Sequence, residues 1–388
     1  MNAKTIFINL FEGLQKEQYR WSTHKEIKKF CRLNGIDPCA RRNGEKEYMT
    51  YWKPVSKNAD LYSYRFYSHF MGEVPYLLSP VIYNYFILHY LNPSRYRLYY
   101  SDKNGYQQNY GKEFFPATLL KRINGSLLMD GENRIFSEFP KEVSAVSATE
   151  ISAVLHKDKV CLKPSVDTDS GLGVDIFTRS DKNVFINKNE ELLDGCKLSS
   201  YGQNFMIQEA IEQHQFFSQF NSSSVNTLRI CTYRSVVDER IHVSVAALRI
   251  GIAGSVVDNL NSGGHFVGVD LETGQLGKTT FDHNGRSSEV WNGIDFSTND
   301  FFVPNWKQIV AFAKEIASRD QHMRLLSMDV CIDTKGVLRL IEVNHGMCAL
   351  GVIYFLGNDL LAGETKNVIE FCLQQQSASK KHLRVIDI

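Results

Sequence analysis

Long hydrophobic runs are missing from this sequence of 388 residues. Its most apolar segment, residues 74–93, is interrupted by prolines, an asparagine and a histidine, and is too short to span a bilayer core of roughly 30 Å. We expect this segment to be a buried core element; contact with a membrane surface is the second interpretation. Residues 1–18 lack the pattern of a secretory signal peptide. A cytoplasmic location, possibly at the inner face of the membrane, is expected.

Clustered cysteines are missing too. The 8 cysteines are scattered singly, without a C-x-x-C pair, and this excludes a zinc ribbon and a dense disulfide framework. Cys331 lies in the apolar run SMDVCID, where a small buried thiol is the usual explanation. The pattern favours a reducing compartment.

The chain lacks a strong net charge, at +1, so as a whole it is not a polyanion binder. Residues 1–125 nevertheless hold 19 Lys and Arg against 10 Asp and Glu. This basic region could face a sugar phosphate, a lipid headgroup or nucleic acid, and a solvated face with scattered lysines explains it about equally well. No nucleic-acid partner is expected, because the sequence has no basic recognition helix or known module.

Common nucleotide-binding motifs are absent. ETGQLGKTT has Glu272 where a P-loop requires glycine, and GLGVDI has Ile176 where G-x-G-x-x-G ends in glycine. The H-R-D and D-F-G motifs of protein kinases are missing. A phosphate site in this chain must belong to another class.

Composition divides the chain into three parts. Residues 51–100 hold 15 of the aromatic residues, and we predict a mainly helical, aromatic-rich lobe over residues 1–105. Strand-like segments begin at about residue 115, among them RIFSEF, KVCLKPS, GVDIFT, NVFIN and NFMIQEAI. The two following subdomains are predicted over residues 106–210 and 211–388.

Two stronger patterns lie in the last part. TLRICTYRSVVDERIHVSVAALRIG predicts a hairpin that turns near residues 238–239. VPNWKQIVAFAKEIASRD, residues 303–320, has the apolar spacing of an amphipathic helix with one face to bury.

The segment SMDVCIDTKGVLRLIEVN predicts a second hairpin with oxygen-bearing side chains. Pairing Asp333 with Leu338 across the turn sets the register. Asp329 then lies opposite Glu342, and Asn344 continues on the same face because side chains alternate along a strand. Three hard oxygen donors would therefore converge on one patch.

Facing acids repel each other unless a cation lies between them. Mg²⁺ fits such a patch, since it typically takes one or two protein carboxylates and completes its shell with water and phosphate oxygens. The alternative is that Asp329 and Glu342 flank the hairpin at the surface, or pair with Arg229 or Arg249.

A lysine and a glycine-containing loop form a second candidate site. In VCLKPSVDTDSGLGVDIF, Lys163 ends an apolar strand and a polar loop leads to Gly171 and Gly173. An ammonium group and closely approaching backbone N–H groups suit a polyphosphate. Alone the signal is weak, because a lysine and proline followed by glycines could form any hairpin.

Taken in order, these features resemble the ATP-grasp superfamily. The resemblance rests on the Lys163 loop, IQEAIEQH (207–214), NTLRI (226–230) and the aspartate strand followed by IEVNHG. FPATLLKRINGSLLMDG and LRIGIAGSVVDNLNSGGHFVGVDLETGQLG resemble its sugar-transfer-associated branch. The resemblance covers about residues 100–355. It implies an α+β fold in which two subdomains clasp ATP.

The resemblance also implies residue roles. The phosphates would be bound by Lys163 and its loop, the adenine by a hinge, and Mg²⁺ by Asp329, Glu342 and Asn344. The residues assigned to ATP are Lys121, Lys163, Ser165, Ser170, Gly171, Gly173, Gln208, Glu209, Ile211, Glu212 and His214. Members of the superfamily commonly carry an earlier phosphate-binding lysine, for which Lys121 and Arg122 are both candidates here.

Catalytic contacts are assigned to Lys163 and Arg229. Arg229 shares a strand face with Thr227 and could reach the γ-phosphate or the transferred group; a salt bridge to one of the acids is nearly as good an interpretation, and the two are compatible. His265, after two glycines, is either a substrate contact or a surface residue in a turn. The residues assigned to substrate are Asn226, Arg249, Gly264 and His265.

The resemblance implies an ATP- and Mg²⁺-dependent carboxylate–amine ligase acting in surface polysaccharide (capsule or O-antigen) assembly. Its partners would be a small amine or amino acid and a sugar-acid or lipid-linked glycan acceptor, with possible peripheral contact with the membrane or glycosyltransferases. Alternatives are phosphate transfer to a glycan hydroxyl and a non-catalytic nucleotide- or glycan-binding scaffold.

Overall fold

A computed structural model describes residues 3–125, 127–132, 134, 142–166, 173–346 and 350–379. Two antiparallel β-sheets face each other, and helices cover both. The chain up to Tyr110 is helical apart from its connections. The predicted fold class, α+β with two subdomains and a helical leading lobe, is confirmed.

The α-helices in the described ranges are α1 (Ala3–Asn34), α2 (Glu45–Trp52), α3 (Leu61–Met71), α4 (Pro80–Ile82), α5 (Leu88–Leu91), α6 (Ser94–Ser101), α7 (Tyr106–Tyr110), α8 (Ala148–Val154), α9 (Gly195–Ser200), α10 (Gln215–Ser218), α11 (Trp306–Arg319), α12 (Leu350–Phe355) and α13 (Thr365–Ser379). A π-helical turn, Tyr83–Ile87, joins α4 to α5. One short 3₁₀ turn, Lys103–Gly105, matters for the site described below.

The strands are β1 (Thr118–Ile123), β2 (Leu127–Met129), β3 (Lys159–Pro164), β4 (Asp175–Arg179), β5 (Phe185–Asn187), β6 (Phe205–Glu209), β7 (Leu228–Arg234), β8 (Ile241–Ile250), β9 (His265–Val269), β10 (Leu276–Asp282), β11 (Ser287–Ser288), β12 (Val290–Trp291), β13 (Ile294–Asp295), β14 (Leu325–Ile332) and β15 (Leu338–Asn344). The predicted strands KVCLKPS, GVDIFT, NVFIN and NFMIQEAI correspond to β3 to β6. RIFSEF lies mostly outside the described residues.

The smaller sheet has the strand order β2-β1-β6-β3-β4-β5. Its strands alternate, so that one face carries apolar residues such as Val160, Leu162 and Ile207 into a core shared with α8 and α9. The opposite face carries Lys163. The sheet therefore presents a polar surface toward the second sheet.

The larger sheet has the order β11-β10-β9-β8-β7-β14-β15. Asp329 pairs with Glu342, as predicted, but the predicted pairing of Asp333 with Leu338 is wrong. Ile332 pairs with Leu338, and a β-bulge between residues 329 and 330 shifts the register by one. The bulge returns the two acids to directly opposed positions on one face.

Helices cover both faces of the larger sheet. The leading helices share one hydrophobic core with α12, α13 and residues of β7 to β9, while α11 and α7 pack on the other side. α11 confirms the amphipathic helix predicted over 303–320. Every residue of β14 is buried. The boundaries at 105 and 210 stay predictions.

The most apolar segment, residues 74–93, is a core element, as predicted. Leu77, Ile82, Ile87 and Leu91 are buried in the core that the leading helices share with the larger sheet. None of the helices in the described ranges has the length and apolar character needed to cross a membrane.

Asn92, just after α5, ties the leading lobe to the larger sheet. It is fully buried. Its amide donates to the carbonyls of Leu325 (2.6 Å) and His345 (2.7 Å), and its oxygen accepts from the N–H groups of Arg324 (3.0 Å) and Leu325 (2.9 Å). One side chain thus satisfies backbone groups beside both β14 and β15.

Replacing Asn92 should destabilise the fold strongly. In Asn92→Ala, four buried backbone groups lose a partner, and we expect the free energy of unfolding to fall by about 3 kcal/mol. Urea denaturation followed by circular dichroism measures this. Asn58→Ala, at an exposed position, is the matched control. A loss no larger than that of the control would contradict the assigned role.

Candidate active site

A cavity of about 810 Å³ lies between the two sheets, within the size range of small-molecule sites. Strands from both sheets and the connection between them form its walls. The predicted site residues that line it are Lys163, Gln208, Glu209, Ile211, Glu212, Arg229, Arg249, Asp329, Glu342 and Asn344. Ser170 and Gly171 lie outside the described residues.

Asp329 of β14 is the most strongly engaged acid of the cavity. Arg229 of β7 donates to it from Nε and from Nη2 (2.8 Å), and Arg249 of β8 donates from Nη1 (2.9 Å). Burial raises the pKa of this carboxyl, but the two guanidiniums outweigh burial and hold the pKa below its ordinary value. For Asp329, the structure therefore contains the ion pairs with Arg229 and Arg249 that the sequence analysis gave as the alternative to a metal site.

The network continues to Asp258. Arg249 contacts its Oδ1 at 2.9 Å, and the backbone N–H and hydroxyl of Thr227 donate to its Oδ2. Burial raises the pKa of Asp258, with Arg249 opposing it. The two arginines and two aspartates thus carry equal and opposite charges. Removal of any one of them would leave an uncompensated buried charge, so the four side chains are stable in the interior only together.

Glu342 and Asn344 leave β15 toward the same cavity. Glu342 Oε1 lies 2.9 Å from Lys103 Nζ. The amide of Asn344 has no hydrogen-bond partner among the residues that the structure describes. These two side chains therefore keep oxygen atoms available for a ligand in the cavity.

Lys163 lines the cavity without a carboxylate partner among the described residues. Lys103, Arg229 and Arg249 each contact an acid; Lys159 is likewise unpaired within the described ranges, but it is exposed, whereas Lys163 is half-buried. Burial lowers the pKa of Lys163 below its ordinary value, and Glu342 opposes this only in part. A half-buried ammonium without an acidic partner creates a binding site for an anion.

The fit to a magnesium ion rests on oxygen donors. Asp329 keeps one unused lone-pair position on Oδ1, since a carboxylate offers about four; Glu342 keeps Oε2 and Asn344 its amide oxygen. Hard oxygen donors next to a phosphate-sized opening fit Mg²⁺. Within the described ranges no group of three or more His, Cys, Asp and Glu gathers as a metal cage, so water and phosphate oxygens would have to complete the shell.

The connection after β6 forms the hinge between the sheets. Gln208 is buried and donates to Thr118 Oγ1 (3.2 Å). Glu212 is anchored by its carbonyl, which accepts from Thr334 N–H (2.9 Å). Ile211, between them, has neither its N–H nor its carbonyl bonded to a described residue. Unpaired backbone groups in a cavity wall suit the edge of a purine ring.

Several predicted ATP ligands point elsewhere. Ser165 hydroxyl accepts from Asn104 Nδ2 at 2.8 Å, which ties the end of β3 to the 3₁₀ turn that carries Lys103. Arg122 donates to the carbonyls of residues 125 and 202. Lys121 is buried in the smaller sheet. Neither of these last two lines the cavity.

Lys103 is a cavity-lining lysine that the sequence analysis did not single out. It lines the cavity together with Lys163, whereas Lys121 and Arg122 do not. Which residue is the earlier phosphate-binding lysine stays a prediction. The sequence gives only a weak signal for the position of Lys103. Asp102 caps the turn by accepting from Asn104 N–H (2.9 Å). An S-D-K-N sequence at a helical start predicts such a cap.

The remaining predicted residues have structural partners outside the cavity. Asn226 is fully buried and donates to the carbonyls of residues 217 and 221. His265 stacks on Trp291 with ring centroids 3.5 Å apart, and His214 caps α10 by accepting from an N–H group. At Gly264 a Cβ atom would come within about 3 Å of three backbone oxygens, so a larger residue would not fit there without a shift. Gly173 has a positive φ (75°) beside Pro164. Their assignments to ligand contacts stay predictions.

The arginine–aspartate network yields a stability test. Arg249→Met leaves the buried Asp258 without its cation, and we expect the free energy of unfolding to fall by about 3–5 kcal/mol. Adding Asp258→Asn should recover a large part of that loss, because the uncompensated charge is then gone. A double-mutant cycle measured by urea denaturation checks this. Additive effects of the two substitutions would show that the pair is not coupled.

Ligases and synthetases are among the solved structures similar to this chain. D-cycloserine synthetase DcsG matches with 11% identity over 70% of this chain and 71% of its own, with a TM-score of 0.38. D-alanyl-alanine synthetase A from Vibrio cholerae O1 biovar eltor matches with 11% identity, over 72% and 64% of the two chains, with a TM-score of 0.36. The ADP complex of N5-carboxyaminoimidazole ribonucleotide synthetase matches with 12% identity, over 63% and 44%, with a TM-score of 0.33.

These similarities are too weak to carry an inference about activity, and the chain spans less than two thirds of the length of the last two. No curated protein matches the chain. A family model, in contrast, matches residues 97–369, most of the chain and all of the strands described above. The chain belongs to the sugar-transfer associated ATP-grasp family.

Proposed function

We propose that this protein is an ATP- and Mg²⁺-dependent ligase that joins a carboxylate to an amine, with a sugar acid as the carboxylate substrate. The observation that carries the proposal is the unpaired ammonium of Lys163, which faces Glu342 and Asn344 across the cavity between the sheets. A polyanion would pair with the ammonium group of Lys163, and a divalent ion would bind the oxygen atoms of Glu342 and Asn344. The two together would satisfy both sides of the cavity.

ATP would lie along this cavity. Its adenine fits the hinge, where the N–H and carbonyl of Ile211 are free within the described part of the chain. Its phosphates fit the end where Lys163 and Lys103 meet. The two lysines come from different elements, β3 and the turn before α7, so both must be in place to neutralise the phosphate oxygens.

Asp329, Glu342 and Asn344 would hold Mg²⁺, which supplies Lewis-acid neutralisation of the phosphate charge. Glu342 and Asn344 are the better placed donors, because three of the four lone-pair positions of Asp329 already accept from Arg229 and Arg249. We assign Asp329 chiefly to holding those two guanidiniums in the cavity wall.

The reaction needs positioning more than a protein nucleophile. A carboxylate oxygen of the substrate attacks the γ-phosphorus and ADP leaves, giving an acyl phosphate. The amine nitrogen then attacks the acyl carbon, inorganic phosphate leaves with the bonding electron pair, and the nitrogen gives up a proton to water. Arg229, which lines the cavity while it donates to Asp329, would help to stabilise the negative charge on the transferred group.

A sugar-acid acceptor in surface polysaccharide assembly is the setting we favour, because the family is described as associated with sugar transfer. The amine donor would be an amino acid or another small amine. The place of action would be the cytoplasm, where the acceptor could be lipid-linked and the protein could meet the membrane or a glycosyltransferase peripherally.

Glu342→Gln should abolish most turnover. It removes one negative charge between Lys103 and the proposed metal while keeping the shape of the side chain, and we expect the rate of ATP consumption to fall about 100-fold. Coupled ADP release measures the rate, and raising Mg²⁺ should restore part of it. Glu370→Gln on α13, at an exposed position, is the matched control. Unchanged activity of Glu342→Gln at an unchanged melting temperature would refute the site.

The products distinguish a ligase from a phosphotransferase. With uronic acids and amino acids supplied together, ³¹P NMR should show ADP and inorganic phosphate, and phosphate release should require both substrates. ADP with a phosphorylated sugar, formed without any amine, would instead establish phosphate transfer to a hydroxyl.

A further inference from the structure

The cavity extends beyond the site of the proposed nucleotide, along the larger sheet. Glu342, Asp329, Arg229, Arg249 and Phe266 line it from five consecutive strands, β15, β14, β7, β8 and β9. At about 4.8 Å per strand, the outer two strands lie about 19 Å apart. The polar residues occupy the β15 side, and aromatic residues begin at β9.

The aromatic end is closed by the leading lobe. Glu26 and Phe30 of α1 and Tyr67 of α3 line the cavity here, together with Phe355 of α12. None of these leading-lobe residues falls within the residues matched by the family model, 97–369. The part of this wall that comes from the leading lobe therefore lies outside the region that the family model matches, whereas Phe355 lies inside it.

Ring contacts connect this wall to the arginines. Arg249 pairs directly with Phe266 in the sheet. The ring centroids of Phe266 and Phe355 are 6.5 Å apart, and those of Phe355 and Tyr67 are 6.3 Å apart. A ligand bound against Tyr67 would thus be separated by only a few side chains from the guanidinium groups that would bind its carboxylate.

Two polar side chains in the aromatic wall have no partner among the described residues. Tyr67 as a whole is only 5% exposed, and its hydroxyl, in a side chain that lines the cavity, is bonded to none of these residues. The carboxylate of Glu26, at the mouth of the cavity, is likewise bonded to none of them. A cavity-lining hydroxyl that has no protein partner can donate to or accept from a ligand, so a ligand with hydroxyl groups is favoured at this position.

We infer that this end of the cavity is the subsite for the sugar ring of the carboxylate substrate, with Tyr67 as a specificity-determining residue. The inference rests on the proposed function. A pyranose ring presents an apolar C–H face, which suits Phe30 and Phe355, and hydroxyl groups, which suit Tyr67 and Glu26. A purely apolar amino-acid side chain fits the rings but leaves both polar groups unsatisfied.

Direct binding tests the subsite without turnover. D-glucuronic acid and, for comparison, L-leucine are titrated into the full chain and followed by saturation-transfer NMR. We expect glucuronic acid to bind and its dissociation constant to rise about tenfold in Tyr67→Phe, the loss of one buried hydrogen bond. Glu26→Gln, at an exposed position that does not affect folding, should weaken binding several-fold.

Tyr64→Phe is the matched control, because Tyr64 lies on the same helix, is fully buried and has a hydroxyl without a partner, but does not line the cavity. Its glucuronic acid affinity should equal that of the unaltered protein. Failure of glucuronic acid to bind, equal affinities of Tyr67→Phe and Tyr64→Phe, or Tyr67-dependent binding of leucine in place of glucuronic acid would each overturn the inference.

ATP binding, measured separately by calorimetry, distinguishes this inference from the proposed function. Tyr67→Phe should bind Mg·ATP normally, whereas Lys163→Ala should lose ATP and keep glucuronic acid. A protein that binds glucuronic acid through Tyr67 but never binds ATP would refute the ligase and leave the sugar subsite in place.

Discussion

A buried carboxylate held between two guanidiniums is the constraint on which the site depends. Asp329 lies on β14, whose residues are all buried, and its charge can stay there only because Arg229 and Arg249 donate to it from the neighbouring strands. The three side chains fix the relative positions of β7, β8 and β14. They also set the boundary in the cavity between the acids on one side and the aromatic rings on the other.

Unequal pairing of the cations then decides where an anion can bind. The arginines of the larger sheet are neutralised, and Lys103 is paired with Glu342. Lys163, from the smaller sheet, has no acidic partner in the described part of the chain. The proposed phosphate site therefore lies in the gap between the sheets, beside Lys163.

The leading lobe supplies part of the cavity wall through Glu26, Phe30 and Tyr67. It shares a core with α12, α13 and the larger sheet, and Asn92 bonds it to backbone groups beside β14 and β15. Phe30 and Tyr67 are therefore held by the same core that supports the larger sheet.

Local patterns in the sequence determined the elements and one face of the site. The period of two along a strand put the oxygen-bearing side chains of the hairpin on one face, and the Lys163 loop was recognisable from its residue types. The direct pairing of Asp329 with Glu342 was predicted from a turn register that the structure does not have, and the bulge restores that pairing. Contacts between distant segments were decided by tertiary structure: the bulge that corrects the hairpin register, the place of Lys103 beside Lys163 in the cavity wall, and the place of Tyr67 in the same wall. No local period encodes them, because each depends on how separately folded surfaces pack.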